Sequence, residues 1–249
     1  MLIIIFIIAH WYASLFFQTV FLHRYAAHSM FEMNRFWERT FFVGAWISQG
    51  TSYLNPFAYA YMHRMHHMHH MHTEQIQDPH SPHHSSNIVK FMLNTYRYYS
   101  LVKNREITLQ DGIDVNIPRW IAFEKISESW VSRLLWAGVY IGIYLLFVPN
   151  IYWFALLPIH FFMSPIHGGI INWFSHKIGY RNYKQDNDST NLFPIEILLG
   201  GEALHNNHHA KPWKANFASK WYEFDPSFLA MKLLHSFKII KLNPNSLNK

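Results

Sequence analysis

Cysteine is absent from this 249-residue chain, and charged residues are few. Without cysteine, the chain forms no disulfide bond, no thiolate zinc site, no thiolate-bound haem and no iron–sulfur cluster held by its own sulfur. Charged residues make up 14% of the sequence and hydrophobic residues 50%, whereas about 25% of residues are charged in a typical soluble domain. This composition argues against a disordered chain and against an ordinary soluble enzyme.

Histidine is the residue type that the sequence has in excess. The 19 histidines outnumber the 15 Asp and Glu residues together. Any transition-metal site must therefore be built mainly from imidazole groups, which suit iron, copper and zinc. The formal net charge of +6 is compatible with nucleic acid, anionic lipid or a phosphorylated substrate, and it does not choose among them.

Long stretches of the chain lack Asp, Glu, Lys and Arg, and a membrane-spanning helix needs about 20 apolar residues. These charge-free stretches are Met1–His23, Thr40–His63 and Leu134–His176. The first predicts one span at about 1–22, because it has neither the basic start nor the cleavage site of a signal peptide. The third is long enough for two spans, at about 132–148 and 151–175, with a turn at Pro149.

The middle stretch is interrupted at Gly50 and at Asn55-Pro56. These breaks favour a re-entrant or interfacial element over 40–62 rather than a straight span. All 21 Lys and Arg residues lie outside the charge-free stretches, so the positive-inside rule places the segments that carry them on the cytoplasmic face and the N-terminus outside. The sequence predicts an all-α integral membrane protein, 1–249 as a single domain, with three to four transmembrane helices and a cytoplasmic helical cap over about 63–131 and 176–249.

Nine histidines occur in four short motifs, which read HRYAAH, HRMHH, NWFSH and HNNHH in chain order. In an α-helix, positions i, i+3 and i+4 share one face, so HxxHH directs three imidazoles the same way. The two histidines of HRYAAH are five residues apart, about 140° round an α-helix, and one of them is expected beyond the helix end. Nine ligands exceed the capacity of one ion, and zinc hydrolysis needs only three. The excess favours a dinuclear redox site, with iron as the metal.

In this order and at these spacings, the motifs resemble those of the membrane-bound fatty acid desaturases, specifically the acyl-CoA (stearoyl-CoA) branch. The similarity runs from about Leu22 to Leu234 and includes Asp78-Pro79-His80, Gly179-Tyr180-Arg181 and Gly201-Glu202. The resemblance implies a cytoplasmic site with two iron ions held by nine histidines and, through water, by an asparagine. The implied ligands are His23, His28, His63, His66, His67, Asn172, His176, His205, His208 and His209.

Two features depart from the family pattern. The family usually has a helical pair before the first motif, but only 22 residues precede His23; we expect either a missing first helix or a misplaced start codon. The second motif also fits in two registers, as His63/His66/His67 or as His66/His69/His70. The distance back to the first motif and Arg64 favour the earlier register, which we predict, whereas the distance forward to Asp78 favours the later one.

The resemblance implies an O2-dependent desaturase that introduces a cis double bond into a saturated acyl chain, with acyl-CoA favoured over a lipid-linked carrier. The partners are the acyl substrate, membrane lipid and an external electron donor such as a ferredoxin, a rubredoxin or a b-type cytochrome; nucleic acid is not among them. Basic residues of the cap are candidates to bind an anionic head group or to anchor the cap to anionic lipid. These residues are Lys177, Arg181, Lys184, Lys211 and Lys214.

Two alternatives remain open at this point. A membrane hydroxylase or alkane-type monooxygenase on a similar site inserts oxygen instead of forming a double bond. A non-catalytic metal-binding membrane protein would bind metal mainly through the histidine run at 63–72. The remaining histidines receive no metal role; in the third HxxHH, at His80/His83/His84, Pro82 argues against a regular helix.

Overall fold

The protein is described by a computed structural model that covers residues 2–69, 81–82, 85–110 and 112–247. In these ranges the fold is helical, and the regular strands are two-residue pieces, β1 Phe31–Glu32 and β2 Lys241–Leu242, which pair antiparallel. The predicted all-α fold is therefore confirmed. The α-helices are α1 Leu2–Phe16, α2 Arg35–Gln49, α3 Pro56–His69, α4 Ile88–Lys103, α5 Ile121–Ser127, α6 Trp130–Phe147, α7 Leu157–Phe161, α8 Met163–Gly169, α9 His205–Ala210, α10 Pro226–Ser236 and α11 Pro244–Leu247.

Other helical types extend these elements. π-Helices cover Phe17–Ala27 and Ile170–Phe174, and 3₁₀-helices cover Gly50–Ser52 and Ile151–Leu156. Helix α1 therefore continues directly into the first π-helix, and α8 into the second. Both π-helices carry residues that the resemblance implies for the metal site, His23 in the first and Asn172 in the second.

Two helices are long and apolar enough to cross a membrane. They are the combined helix Leu2–Ala27, of 26 residues, and α6, of 18 residues. The pair Ile151–Phe161 and Met163–Phe174 meets the same criterion together but is bent by 66°, so the described residues hold two candidate spans, or three if the bent pair is one. These helices lie where the sequence predicts spans; the crossings themselves stay a prediction.

The bend between α7 and α8 has a local cause. Pro165 has no N–H to donate to the carbonyl of Phe161, four residues earlier, so the α-helical hydrogen-bond ladder is interrupted there. The hydroxyl of Thr51 donates to that carbonyl instead, at 3.0 Å. The span predicted at 151–175 is thus bent, and the carbonyl left free at the bend accepts a hydrogen bond from a residue of the middle stretch.

The predicted break in the middle stretch is present. Helix α2 ends at Gln49 and is followed by Gly50, whose φ of 51° is in the left-handed region, and α3 begins at Pro56. A Cβ at Gly50 would lie 1.8 Å from the hydroxyl oxygen of Tyr140, so only glycine permits α6 to approach so closely. The side chain of Asn55 accepts the N–H of Ala58 at 3.0 Å and caps α3. The position of this segment relative to the bilayer stays a prediction.

The first π-helix is fixed from two sides. Phe21, on one side, is buried in a cluster that includes Phe42 of α2. Ala26, on the other, is buried in a second cluster with Tyr61 of α3. The helix that carries His23 therefore lies between α2 and α3, and its position is set by apolar packing.

Candidate metal centre

Histidine side chains from distant parts of the chain converge on two adjacent points. Within each group of four, one ligand atom from every residue lies within 4.8 Å of the others. The first group is His23, His28, His63 and His208, and the second is His66, His176, His205 and His209. His67 lies against the first group, with its Nε2 2.9 Å from Nε2 of His208. All nine histidines singled out in the sequence therefore meet at one site.

The π-helix explains how HRYAAH brings two histidines to the same group. In a π-helix the hydrogen bond runs from residue i+5 back to residue i, and the N–H of His28 donates to the carbonyl of His23 at 3.1 Å. Residues five apart therefore lie one turn apart on the same side. His28 is the residue that ends the helix, as expected, but the 140° separation of an α-helix does not apply.

Helix α3 contributes to both groups. His63 and His67 are four residues apart, and their Nε2 atoms lie 3.0 Å from each other. His66 faces the second group, with its Nε2 3.2 Å from that of His209. These are the residues of the earlier register; His70 and the side chain of His69 lie outside the described part, so the choice of register stays a proposal.

Helix α9 also contributes to both groups. Nε2 of His205 lies 3.0 Å from that of His209 and 3.1 Å from that of His176. His208, between them in sequence, has its Nε2 3.0 Å from that of His23.

The two asparagines of HNNHH hold α9 in place. The side-chain amide of Asn207 donates to the carbonyl of Phe217 at 2.9 Å and to the carboxylate of Glu223 at 2.8 Å. The side-chain oxygen of Asn206 accepts the backbone N–H groups of Asn182 and Tyr183, at 2.9 Å each. Both asparagines are buried, so this short helix is anchored through its polar side chains.

The chemistry of the imidazoles fits bound cations. Nε2 of His63 lies 2.9 Å from Nε2 of His28 and 3.0 Å from that of His67. A neutral imidazole has one N–H donor and one acceptor nitrogen, so one nitrogen satisfies only one of these two contacts as a hydrogen bond. A cation between the nitrogens would bind all three lone pairs.

Burial keeps the candidate ligands in the form that is able to bind metal. It lowers the pKa of His205, His208 and His209 well below 6.5, and neighbouring imidazoles lower the pKa further. The same two causes lower the pKa of His28 and His63, with nearby arginines adding to the effect at His28. Neutral imidazole is the form that coordinates a metal ion.

Charged residues behind the ligands were not assigned a role from sequence. A carboxylate oxygen of Glu202 lies 2.5 Å from Nδ1 of His23. Next to it, the buried guanidinium of Arg24 pairs with the buried carboxylate of Asp225 at 2.9 Å. In the sequence, Gly201-Glu202 is indicated only by the resemblance. No local sequence pattern indicates a role for Asp225, because its partner, Arg24, is 201 residues away.

A cavity of about 610 Å³ adjoins the histidines. His23, His63, Asn172 and His205 are part of its wall, so Asn172 shares the cavity with ligands of both groups. Most of the remaining wall is apolar and comes from α3, α4, α6 and α8, with one residue each from α1 and α7. Tyr96 and Trp130 line the cavity and are themselves exposed, which shows that it opens at the surface between α4 and α6.

Comparison with known proteins agrees with this geometry. The model of the family described as fatty acid desaturase matches residues 1–226. Similar proteins include an sn-1 stearoyl-lipid 9-desaturase of Anabaena variabilis, 28% identical over 125 residues, which are 48% of this chain and 45% of that protein. The sn-1 stearoyl-lipid 9-desaturase of Synechocystis sp. is 29% identical over 140 residues, 53% of this chain and 43% of that protein. An acyl-CoA 5-desaturase of Anemone leveillei is 34% identical over 65 residues, 26% and 20% of the two chains. The chain thus spans less than half the length of these relatives.

Proposed function

This chain belongs to the fatty acid desaturase family, and we propose that it introduces a cis double bond into a saturated fatty acyl chain with O2 and electrons supplied from outside. As an oxidoreductase of this family, it acts in lipid metabolism. The observation that carries the proposal is the convergence of eight histidines in two groups of four, with His67 against the first group, beside a largely apolar cavity.

The two groups are proposed to hold two iron ions. His23, His28, His63, His67 and His208 would bind the first ion. His66, His176, His205 and His209 would bind the second, with Asn172 acting through a water molecule. When bound, the iron pair supplies the oxidising power toward unactivated methylenes that no side chain provides.

The cavity is proposed to position the acyl chain. Methylene groups have no polar handle, so selection of the oxidised bond depends on how deep the chain enters a shaped apolar wall. Leu15, Phe161 and Pro165 contribute such a wall, and His23 and Asn172 border the same space. Closure of this wall around the chain also excludes water from the reacting carbons.

The positively charged residues of the cavity wall are relevant to whether the acyl chain is carried by coenzyme A or by a lipid. Among the described residues, Lys103 and Arg133 line the cavity, but Lys103 lies 3.9 Å from the carboxylate of Glu128. Arg133 donates to the backbone carbonyls of Thr51 and Tyr53. Because both cations are engaged within the protein, the opening favours a lipid-linked acyl chain over the polyanionic acyl-CoA expected from the sequence.

The cap lysines and arginines that were candidates for a head-group site are placed elsewhere. Lys177 lies over the ring of Trp173 at 4.2 Å, and Arg181 lies 3.5 Å from the carboxylate of Asp188. Neither is part of the cavity wall. They remain available for contact with anionic lipid or with the external electron donor, for which a ferredoxin, a rubredoxin and a b-type cytochrome are the candidates on the cytoplasmic face.

Expression in a host of known lipid composition, with gas chromatography of total fatty acids, tests the proposal. We expect a new monounsaturated acid with the wild-type chain and none with His208→Ala. No new acid in the presence of a competent donor would contradict a desaturase. A hydroxylated product without a double bond would instead establish the hydroxylase, which the order of the motifs and the NWFSH element disfavour.

Separate supply of stearoyl-CoA and of stearoyl-phospholipid vesicles to the purified protein, each with O2 and a competent electron donor, tests the carrier. We expect product in the vesicles and little from the thioester. A non-catalytic protein that binds metal through the run at 63–72 would keep its metal after His176→Ala. The contacts of His66 with His209, and of His176 with His205, argue against it.

A further inference from the structure

The segment Phe193–Leu199, which leads into the metal-binding helix α9, has an inverted polarity. Phe193, Ile195, Ile197 and Leu198 are exposed, whereas its one charged residue, Glu196, is completely buried. A loop in water shows the opposite arrangement, with polar side chains outside. The outer surface of this loop is therefore suited to an apolar surrounding.

The carboxylate of Glu196 forms hydrogen bonds that water would otherwise form with the backbone of the loop. Its two carboxylate oxygens accept the N–H groups of Leu199 and Gly201, at 2.8 Å each, and of Ala203 at 3.4 Å. Non-helical backbone at membrane depth is tolerated where its polar groups have partners within the protein. The buried carboxylate provides such partners at the turn where the loop reverses.

The neighbouring segment at Phe224 forms hydrogen bonds with further backbone groups of the loop. The N–H of Phe224 donates to the carbonyl of Pro194 at 2.9 Å, and the N–H of Glu196 faces the carbonyl of Phe224 at 3.4 Å. Phe224 itself is exposed next to Ile195. The apolar surface of the loop thus extends onto the chain that precedes α10.

Contacts with α1 set the depth of the loop. The indole N–H of Trp11 donates to the carbonyl of Leu198 at 2.9 Å, and Trp11 and Ile171 pack with the buried Leu199. Trp11 lies roughly 14 Å along α1 from Leu2, at 1.5 Å per residue, and the apolar layer of a bilayer is about 30 Å thick. If α1 crosses the membrane, Leu198 lies well inside that layer.

From the buried carboxylate, the exposed apolar surface and the contact with Trp11, we propose that residues 193–199 form a re-entrant loop that contacts the acyl chains of the surrounding lipid. The exposed surface continues that of α1, where Ile4, Ile8 and Tyr12 are also exposed. The loop fixes the height of Gly201-Glu202, and hence of α9, relative to the bilayer. This inference concerns lipid contact and does not depend on the reaction catalysed.

The absence of cysteine makes the depth measurable with single labelled cysteines. Ile197→Cys is the test position, at 55% exposure; Ile8→Cys on α1, at 52%, and Val115→Cys, at 53%, are matched controls. The backbone carbonyl of Val115 accepts a hydrogen bond from the side chain of Arg64. Val115 therefore lies near the end of α3 that carries the histidines. Each full-length variant, loaded with iron, carries a nitroxide and is reconstituted in phosphatidylcholine vesicles.

Electron paramagnetic resonance measures the relaxation of the nitroxide through power saturation of its signal. Relaxation by O2, which concentrates in lipid, is compared with relaxation by a water-soluble nickel chelate. We expect the label at position 197 to match position 8, with strong relaxation by O2 and weak relaxation by nickel, and position 115 to show the reverse. Relaxation by nickel as strong as at position 115 would overturn the proposal. So would weak relaxation by both reagents, because a second copy or a protein partner would then cover the loop. Ile195→Cys repeats the test if the first variant does not fold.

Discussion

Nδ1 of His23 faces a carboxylate oxygen of Glu202 at 2.5 Å, while Nε2 of the same ring lies 3.0 Å from that of His208. A carboxylate this close to Nδ1 favours the tautomer with its proton on that nitrogen, which would leave the Nε2 lone pair for a metal ion. The turn before α9 therefore contacts a candidate ligand on the first π-helix. It couples the first and last histidine motifs, 185 residues apart.

Glu202→Gln should weaken metal binding without removing a ligand. The amide holds the ring in place less strongly and does not raise its basicity, so we expect a loss of about 10–100-fold in iron affinity. Iron retained after titration with a chelator measures this. Glu106→Gln, at an exposed position, is the control; equal retention in both variants would contradict the role of Glu202.

The pair Arg24–Asp225 should contribute strongly to stability. Both side chains are fully buried, and Oδ1 and Oδ2 of Asp225 lie 3.1 and 2.9 Å from Nη2 of Arg24. Asp225→Asn removes the counter-charge that is hydrogen-bonded to the guanidinium and leaves Glu202, 3.8 Å from Nη2, as the remaining anionic neighbour. Breaking a buried pair in this way costs about 3–5 kcal/mol of unfolding free energy. Denaturant titration in detergent, followed by circular dichroism, measures the loss.

The surface pair Arg181–Asp188 is the matched control. Its side chains are 36% and 48% exposed, and such pairs contribute about 0–1 kcal/mol. We expect Asp188→Asn to leave the denaturation midpoint nearly unchanged. Similar losses of unfolding free energy for Asp188→Asn and Asp225→Asn would show that the buried pair Arg24–Asp225 stabilises the protein no more than a surface pair does.

Local spacing indicates which histidines of a motif share a helix face, and glycine and proline mark the break between α2 and α3; that the four motifs form one site was implied by the resemblance. The sequence does not predict the π-helix at HRYAAH, since an i+5 pattern of histidines looks the same whether or not the helix is widened. Nor does it predict the partner of Arg24, because a contact across 201 residues leaves no mark in either segment. Pro165, the local cause of the bend at Phe162, is visible in the sequence, but the hydrogen bond from Thr51 to the freed carbonyl of Phe161 is not, because these residues are 110 positions apart.

Gly201→Ala should disturb the turn that carries Glu202. Gly201 has a φ of 92°, and a Cβ there would lie 2.2 Å from Oδ1 of Asp225. The left-handed backbone alone costs a residue with a side chain about 1–3 kcal/mol, and the carboxylate must also move away from Arg24. We expect a lower denaturation midpoint and reduced iron content.

Gly138→Ala serves as the control for Gly201→Ala. Gly138 lies within α6 and has open space where a Cβ would be placed, and alanine is favoured over glycine in helices by up to about 1 kcal/mol. Its midpoint should stay the same or rise. A fall equal to that of Gly201→Ala would mean that any added methyl group destabilises this protein, and the specific contact with Asp225 would lose its support.

Ala137→Phe should change which acyl chains fit the cavity. Ala137 lies on α6 and lines the cavity, so an added phenyl ring narrows the space for the chain. If the last two methylenes of an 18-carbon chain lose their burial, the cost is about 1.6 kcal/mol at 0.8 per methylene, or roughly tenfold against a 16-carbon chain. Gas chromatography of the two monounsaturated products gives the ratio. Val139→Phe, on the same helix but 46% exposed to the outside, should leave the ratio unchanged. An unchanged ratio in both variants, with full activity, would mean that the acyl chain does not pass Ala137, and the cavity would no longer account for selection of chain length.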